Sequence, residues 1–184
     1  YRHLCRIVTS AHAHHPKGCA GYPLLTEIPP LSGLVVIVPA DSLLVLSRPP
    51  FPDNLATDLL ARLLEFSSGS TYLATFRHRD GEDLERERVI QAAQQAYGLP
   101  VLASARPRLH TRSRRFLADV LDCIRRGTTL DHAGTWLAKN SEASLLSESE
   151  IRARFSDHPD WVERTREIVE RCSFTLGQLH YKFP

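Results

Sequence analysis

From Leu34 to Arg126, short apolar runs bounded by turn residues alternate with amphipathic stretches, and this alternation constrains the fold more than any other feature. Leu34, Val35, Val36, Ile37 and Val38 stand between Gly33 and Pro39 as an unbroken run rich in β-branched side chains. A run with no polar face suits a strand covered on both sides. Residues 71–76 form a second strand by propensity, ended by Asp80 and Gly81, and residues 101–104 form a short third. After the stiff connector of Pro49, Pro50 and Pro52, a helix runs through Leu59, Leu60, Leu63 and Leu64, with Asp53 or Asn54 available as its cap. Residues 82–97 carry Val89, Ile90, Ala93 and Tyr97 on one side and close at Gly98 and Pro100. Helices between such strands make right-handed crossovers, so the three runs are expected to lie parallel in one barrel-like sheet. Residues 41–47 read as a further short strand.

Residues 114–126 form a helix with Phe116, Leu117, Val120, Leu121 and Ile124 expected to face inward and Gly127 as its stop. The pattern then changes. Residues 130–136, 147–155 and 159–172 read as three helices with no strand between them, the last two capped by Ser147 and by Asp157 or His158. This divides the chain into an α/β part, 1–127, and a helical part, 128–184. Residues 1–14 are also helical, with Leu4, Ile7 and Val8 on one face and Pro16 and Gly18 as breakers. There is no methionine and no signal segment, so the chain is expected to be a piece of a longer protein that starts inside a helix.

Of the 184 residues, 42% are hydrophobic and 24% charged, which excludes a disordered or collagen-like chain. The apolar run at 34–38 is far short of the roughly 20 residues of a membrane span. A net charge of +2 singles out no acidic partner. Cys5, Cys19, Cys123 and Cys172 lie far apart with no CxxC, against a zinc ribbon or a disulfide framework, and read as reduced thiols of a cytoplasmic protein.

His12, His14 and His15 are the most metal-like cluster, since imidazoles at this spacing in an extended segment can share a zinc ion. No carboxylate nearby completes a set, although Cys19 is four residues on, and a solvated helix end is the plainer reading. Arg106, Arg108, His110, Arg112, Arg114 and Arg115 follow directly on the third strand. The end of a strand in a βα unit is where ligands bind, and arginines there can hold phosphate bidentately. In an extended loop Arg106 and Arg108 would point to one side. The competing reading is a solvated loop. The charges at 82–88 and in 163–171 read as solvated helix faces with i,i+4 pairs. Phosphate-loop, dinucleotide and HExxH motifs are absent, as is any carboxylate pair whose spacing asks for acid–base work.

Several blocks, in order, resemble one family. They are Gly98-Leu99-Pro100-Val101-Leu102-Ala103-Ser104, Asp119-Val120-Leu121-Asp122-Cys123-Ile124-Arg125, Thr128-Thr129-Leu130-Asp131, and Ser147-Glu148-Ser149-Glu150-Ile151 with Arg154-Phe155. Thr165-Arg166-Glu167-Ile168-Val169-Glu170-Arg171-Cys172, Phe174-Thr175-Leu176 and Leu179-His180-Tyr181-Lys182-Phe183-Pro184 continue the series, and Leu4-Cys5-Arg6-Ile7-Val8-Thr9 with Pro16-Lys17-Gly18 opens it. The whole resembles the bacterial C-family DNA polymerases, most closely the error-prone branch used in damage-induced mutagenesis. The likeness spans nearly the whole chain and is weakest from Gly21 to Ser70.

The resemblance implies the second half of a polymerase-and-histidinol-phosphatase (PHP) domain, a distorted TIM-like β/α barrel, followed by an all-helical connector to a polymerase core. It implies that the parent copies damaged DNA using magnesium held by palm carboxylates that this segment lacks. DNA, the polymerase core of the same chain, a sliding clamp and mutagenesis accessory proteins are the partners it implies. After the third strand the family has asparagine–aspartate–any–histidine, with metal bound by the aspartate and histidine. Ala105, Arg106, Pro107 and Arg108 stand there instead. Arginine has no lone pair to give a metal. The expectation is a structural segment without catalytic residues or a metal of its own, with DNA or phosphate contact through Arg106, Arg108 and Arg112. His12, His14 and His110 are the residual metal candidates. The alternatives are a metal-dependent phosphoesterase or 3′–5′ exonuclease, and a free-standing nucleic-acid-binding module.

Overall fold

The computed structural model describes residues 1–13, 15–19, 21, 31–67 and 69–179. His14, part of the turn at 67–70 and the block from His180 onward lie outside them. The helices are α1 (Arg2–Ala13), α2 (Ala40–Leu46), α3 (Leu55–Ser67), α4 (Asp83–Tyr97), α5 (Arg115–Arg126), α6 (Leu130–Ala133), α7 (Glu148–Arg154) and α8 (Pro159–Arg171). The strands are β1 (Val36–Pro39), β2 (Thr71–Thr75) and β3 (Val101–Ala103). No described helix is long and apolar enough to cross a membrane.

The three expected strands are adjacent and parallel, in the order β1-β2-β3. Val36 lies opposite Thr71, Pro39 opposite Ala74, and Leu73 opposite Val101. Period-two alternation sends Val38, Leu73, Val101 and Ala103 into the main core, with α2, α3 and α4 contributing Leu43, Leu60, Leu63 and Ile90. Tyr72, Ala74 and Leu102 form a smaller cluster, against which Ile168 of α8 packs. The fold is mixed α/β, with one three-stranded parallel sheet among the described residues, and a barrel is not shown.

Two local expectations are corrected. Residues 41–47 are not a strand; they fall largely in α2, where Ala40, Leu43 and Leu44 recur at helical spacing and all are buried. The apolar residues of α5 do not face inward: Phe116, Leu117, Leu121 and Ile124 are exposed, and Cys123 is the buried residue of the helix. The polar side of α5 is tied to the body instead. Arg115 donates from Nη2 to the Ala138 carbonyl at 2.6 Å, and Asp122 accepts from Arg108 and Arg125 at 3.1 and 2.9 Å.

The later helices share the core of the sheet. Phe155, Trp161 and Val162 belong to the same buried cluster as Val38, Leu73 and Ile90. Ser147 caps α7 through a capping box with Glu150. The His158 ring stacks on Trp161 at 3.7 Å. Tyr72 Oη, on β2, donates to Glu167 Oε1 at 2.8 Å and accepts from Arg171, so both α8 side chains meet one buried ring.

Candidate functional site at the carboxyl edge of the sheet

Parallel strands end on one edge, and the segments leaving β1, β2 and β3 bring Asp41, Phe76 to Asp80, and Ser104 to Arg106 together there. Phe76, buried just past β2, is the centre. The guanidinium of Arg86 lies 4.6 Å from its ring centroid, that of Arg106 lies 4.8 Å away, and the His78 ring is 4.6 Å off at a tilt. An aromatic face attracts cations, and partial desolvation strengthens the effect.

Arg106 has a φ of +40°, in the left-handed region. Its N–H donates to Ser104 Oγ at 3.0 Å, which holds the turn. The extended-loop expectation therefore fails, and Arg106 and Arg108 diverge. Arg106 forms an ion pair with Asp41, at the start of α2. Arg108 pairs with Asp122 of α5 at 3.1 Å. Arg112 pairs with Glu150 of α7 at 3.1 Å and with Glu142 at 3.5 Å. The three predicted arginines thus meet carboxylates on different elements rather than converging on one point.

His78 donates from Nε2 to the Ala105 carbonyl at 3.0 Å, which fixes its tautomer, since a carbonyl only accepts. Burial pushes its pKa below the ordinary 6.5, with the Arg86 charge adding to the effect, so the ring is held neutral. Asp83, the first residue of α4, accepts from the N–H groups of His78 and Arg79 in the segment before the helix, at 2.9 and 2.8 Å. Arg86, with a side chain only 3% exposed, joins Asp83 at 2.6 Å and also pairs with Asp80. Burial alone would raise the Asp80 pKa, but the Glu82 N–H and Arg86 outweigh it, and the group is held below the usual carboxylate value.

A second arginine pair joins this edge to the last helices. Arg77 donates to Asp157 through two 2.7 Å bonds, to Glu87 at 2.5 Å and to the Arg154 carbonyl at 2.7 Å. Arg154 donates in return to the Arg77 carbonyl at 2.7 Å and to Glu142 Oε2 at 2.5 Å. Arg77 also lies over the Phe155 ring, at 4.6 Å.

Acid should undo part of this edge in two stages. The Arg77 fork holds the Asp157 carboxyl at about 2. The Ser147 N–H and hydroxyl, with Arg112, hold Glu150 at about 2. Both groups bind protons more weakly folded than unfolded, so their stabilisation is complete above about pH 4 and disappears as pH falls toward about 2. His78 is also depressed, so the unfolded chain takes its proton first and stability begins to fall below about pH 6.5. Urea midpoints measured from pH 8 to 2 should show a shallow upper step and a steeper lower one. Asp157→Asn should shrink the lower step, and a midpoint flat from pH 8 to 3 would refute the assignment.

Of the metal candidates, His12 lies in the last turn of α1, His14 is outside the described residues, and His110 lines a groove beside α5. Among the described residues, no three His, Cys, Asp or Glu side chains come together as a metal-binding group. Sequence reasoning missed Asp41, Phe76, Arg77, His78, Arg86 and Arg154. The strand-end rule pointed to most of them, but it was applied to β3 and not to β1 and β2. Arg86 was hidden among charges that read as a solvated face.

No protein-family profile matches the sequence. The chain is similar to an error-prone DNA polymerase of Anaeromyxobacter dehalogenans strain 2CP-C, 31% identical over all 184 residues, and to one of Pseudomonas syringae pv. syringae, 32% identical over 188 aligned residues that cover the whole chain. It is 35% identical to an error-prone DNA polymerase of Rhodopseudomonas palustris strain BisA53 over 144 residues, 77% of the chain. The chain spans 16%, 17% and 12% of the lengths of these three relatives respectively.

Proposed function

We propose, on the premise that the chain belongs to the error-prone DNA polymerase family through its full-length match to one segment of those proteins, that it is the PHP half-barrel and connector of such an enzyme. In this reading the module is structural. It has lost the family's metal chemistry and packs against the polymerase core of the same polypeptide. The parent is a cytoplasmic nucleotidyltransferase that copies damaged DNA in replication and repair. The magnesium ions of nucleotide transfer belong to its palm, outside these 184 residues. A sliding clamp and mutagenesis accessory proteins are its further partners.

One observation supports the structural role above the others: the position of Arg106. It stands where the family's metal-binding aspartate is expected, and its guanidinium is fixed between the Asp41 carboxylate and the Phe76 ring. A guanidinium has no lone pair to give a metal, and the Asp41, Asp80 and Asp83 carboxylates around the ring are already engaged by Arg106 and Arg86. These residues do not fit a cation. DNA contact by Arg106, Arg108 and Arg112 belongs to the same proposal and requires each to exchange its carboxylate for a phosphate.

The test uses the complete polypeptide that carries this chain. It should extend a primer past an abasic template site, and it should not shorten an unpaired 3′ end when zinc or manganese is supplied. Shortening that depends on those ions and is lost in His78→Ala would favour the phosphoesterase reading. DNA binding without primer extension would favour a free-standing binding module. In the same protein, Arg108→Ala and Arg112→Ala should each lower the salt slope of DNA binding by about one unit if each contacts one phosphate.

A further inference from the structure

The apolar stripe of α5 is turned toward solvent. Phe116 and Ile124 are each 69% exposed, and Leu121 and Leu117 between them are 57% and 47% exposed. Positions 116, 117, 120, 121 and 124 fall on one side of a helix. Single exposed apolar residues are ordinary, but a continuous stripe of large ones marks a surface that is normally covered.

The orientation of the helix is fixed from below. Asp119 and Asp122 are mostly buried, paired with Arg115 at 3.5 Å and with Arg108 and Arg125 at 3.1 and 2.9 Å. Rotating the stripe inward would break these ion pairs. The stripe continues into a groove of about 270 Å³ formed by Leu109, Leu117, Ala118 and Leu121, with His110 and Arg114 on its rim.

We infer that this face is an internal interface, on which another part of the same polymerase polypeptide docks. The inference rests on the polymerase reading above and names the surface which that reading requires. The length of the relatives argues for this occupant: the chain spans only 16% of them, so most of such a polypeptide is available to cover the face. Tethering makes the contact intramolecular, at high effective concentration. The rim argues for the chemistry of the docking surface. Arg114 and Arg125 border the Leu121 side of the stripe, so the opposing surface is apolar at its centre and carboxylate-bearing along that edge. A second copy of this chain would set basic rim against basic rim in a two-fold contact. DNA would satisfy the rim and leave the stripe wet.

The test is thiol labelling in the complete polypeptide, read peptide by peptide in the mass spectrometer. Phe116→Cys and Ile124→Cys should react about tenfold or more slowly than Arg166→Cys, on the exposed side of α8. Carbene footprinting of Leu121 in the unsubstituted protein gives the same reading with no variant. Equal labelling rates would overturn the inference. So would protection lost on about a hundredfold dilution, which would mean self-association, or protection that appears only when DNA is added. Primer extension by the same preparation separates the two readings. A protected stripe without extension counts against the polymerase assignment and for the interface; extension with a freely labelled stripe does the reverse.

Discussion

Arg86→Ala should cost about 3 kcal/mol of unfolding free energy, because removing one partner of a buried ion pair strands the other. The Arg86 side chain is almost wholly enclosed, and it holds Asp80 and Asp83 while lying on the Phe76 ring. Both carboxylates have further work. Asp83 accepts the N–H groups of His78 and Arg79, and Asp80 accepts that of Glu82 at 3.0 Å. Without the guanidinium, two partly buried negative charges would face each other across the start of α4. The loss should appear as a lower urea midpoint with an unchanged slope. Asp80→Asn placed on top of Arg86→Ala should restore part of the loss by removing one stranded charge, and that coupling is the diagnostic. Arg166, which is exposed, should give no measurable change as alanine. A loss at Arg86 as small as that at Arg166 would mean the pair is solvated and contributes little.

The contrast between Arg86 and Arg166 also marks how far the sequence could be read. Strand positions were legible because β-branched runs between punctuators have few other uses, and the parallel order followed from the helices between them. Helix ends were legible where a cap was: Gly98 takes φ +65° after α4, and Ser147 opens α7 with its box to Glu150. Residues 41–47 were misread because a short apolar run fits a strand as well as a helix, and the burial of Ala40, Leu43 and Leu44 on one helical side decided it. Which charges are buried was not legible. Arg86 and Arg88 sit two apart in one acidic-basic stretch, and only tertiary packing makes one of them a core residue. The direction of α5 was also illegible, since amphipathicity identifies an apolar face but not what covers it. For the candidate site, the strand-end rule located the edge. The left-handed turn at Arg106, which sends that side chain to Asp41, came from a local hydrogen bond that no periodicity encodes.

Phe155→Ala should be the more damaging substitution, at about 3–5 kcal/mol, the range for deleting a fully buried aromatic ring. Phe155 is completely enclosed, beneath the Arg77 guanidinium and 6.5 Å from the Trp161 ring. Its loss removes the surface on which Arg77 lies as well as the ring, and Arg77 holds Asp157 and Glu87. What matters more is where the damage is felt. Phe155 follows the Gly127 division by many residues, yet it shares a core with Val38, Leu73 and Ile90 of the sheet part. If the sheet and the later helices unfold as one unit, Trp161 fluorescence and far-ultraviolet circular dichroism should lose signal at one urea midpoint, and Phe155→Ala should move both equally. If residues 128–184 form an independent unit, the fluorescence transition should shift alone while a second dichroism transition stays in place. A single shared shift would mean that the helices after Gly127 complete the core of the sheet and do not merely lead away from it.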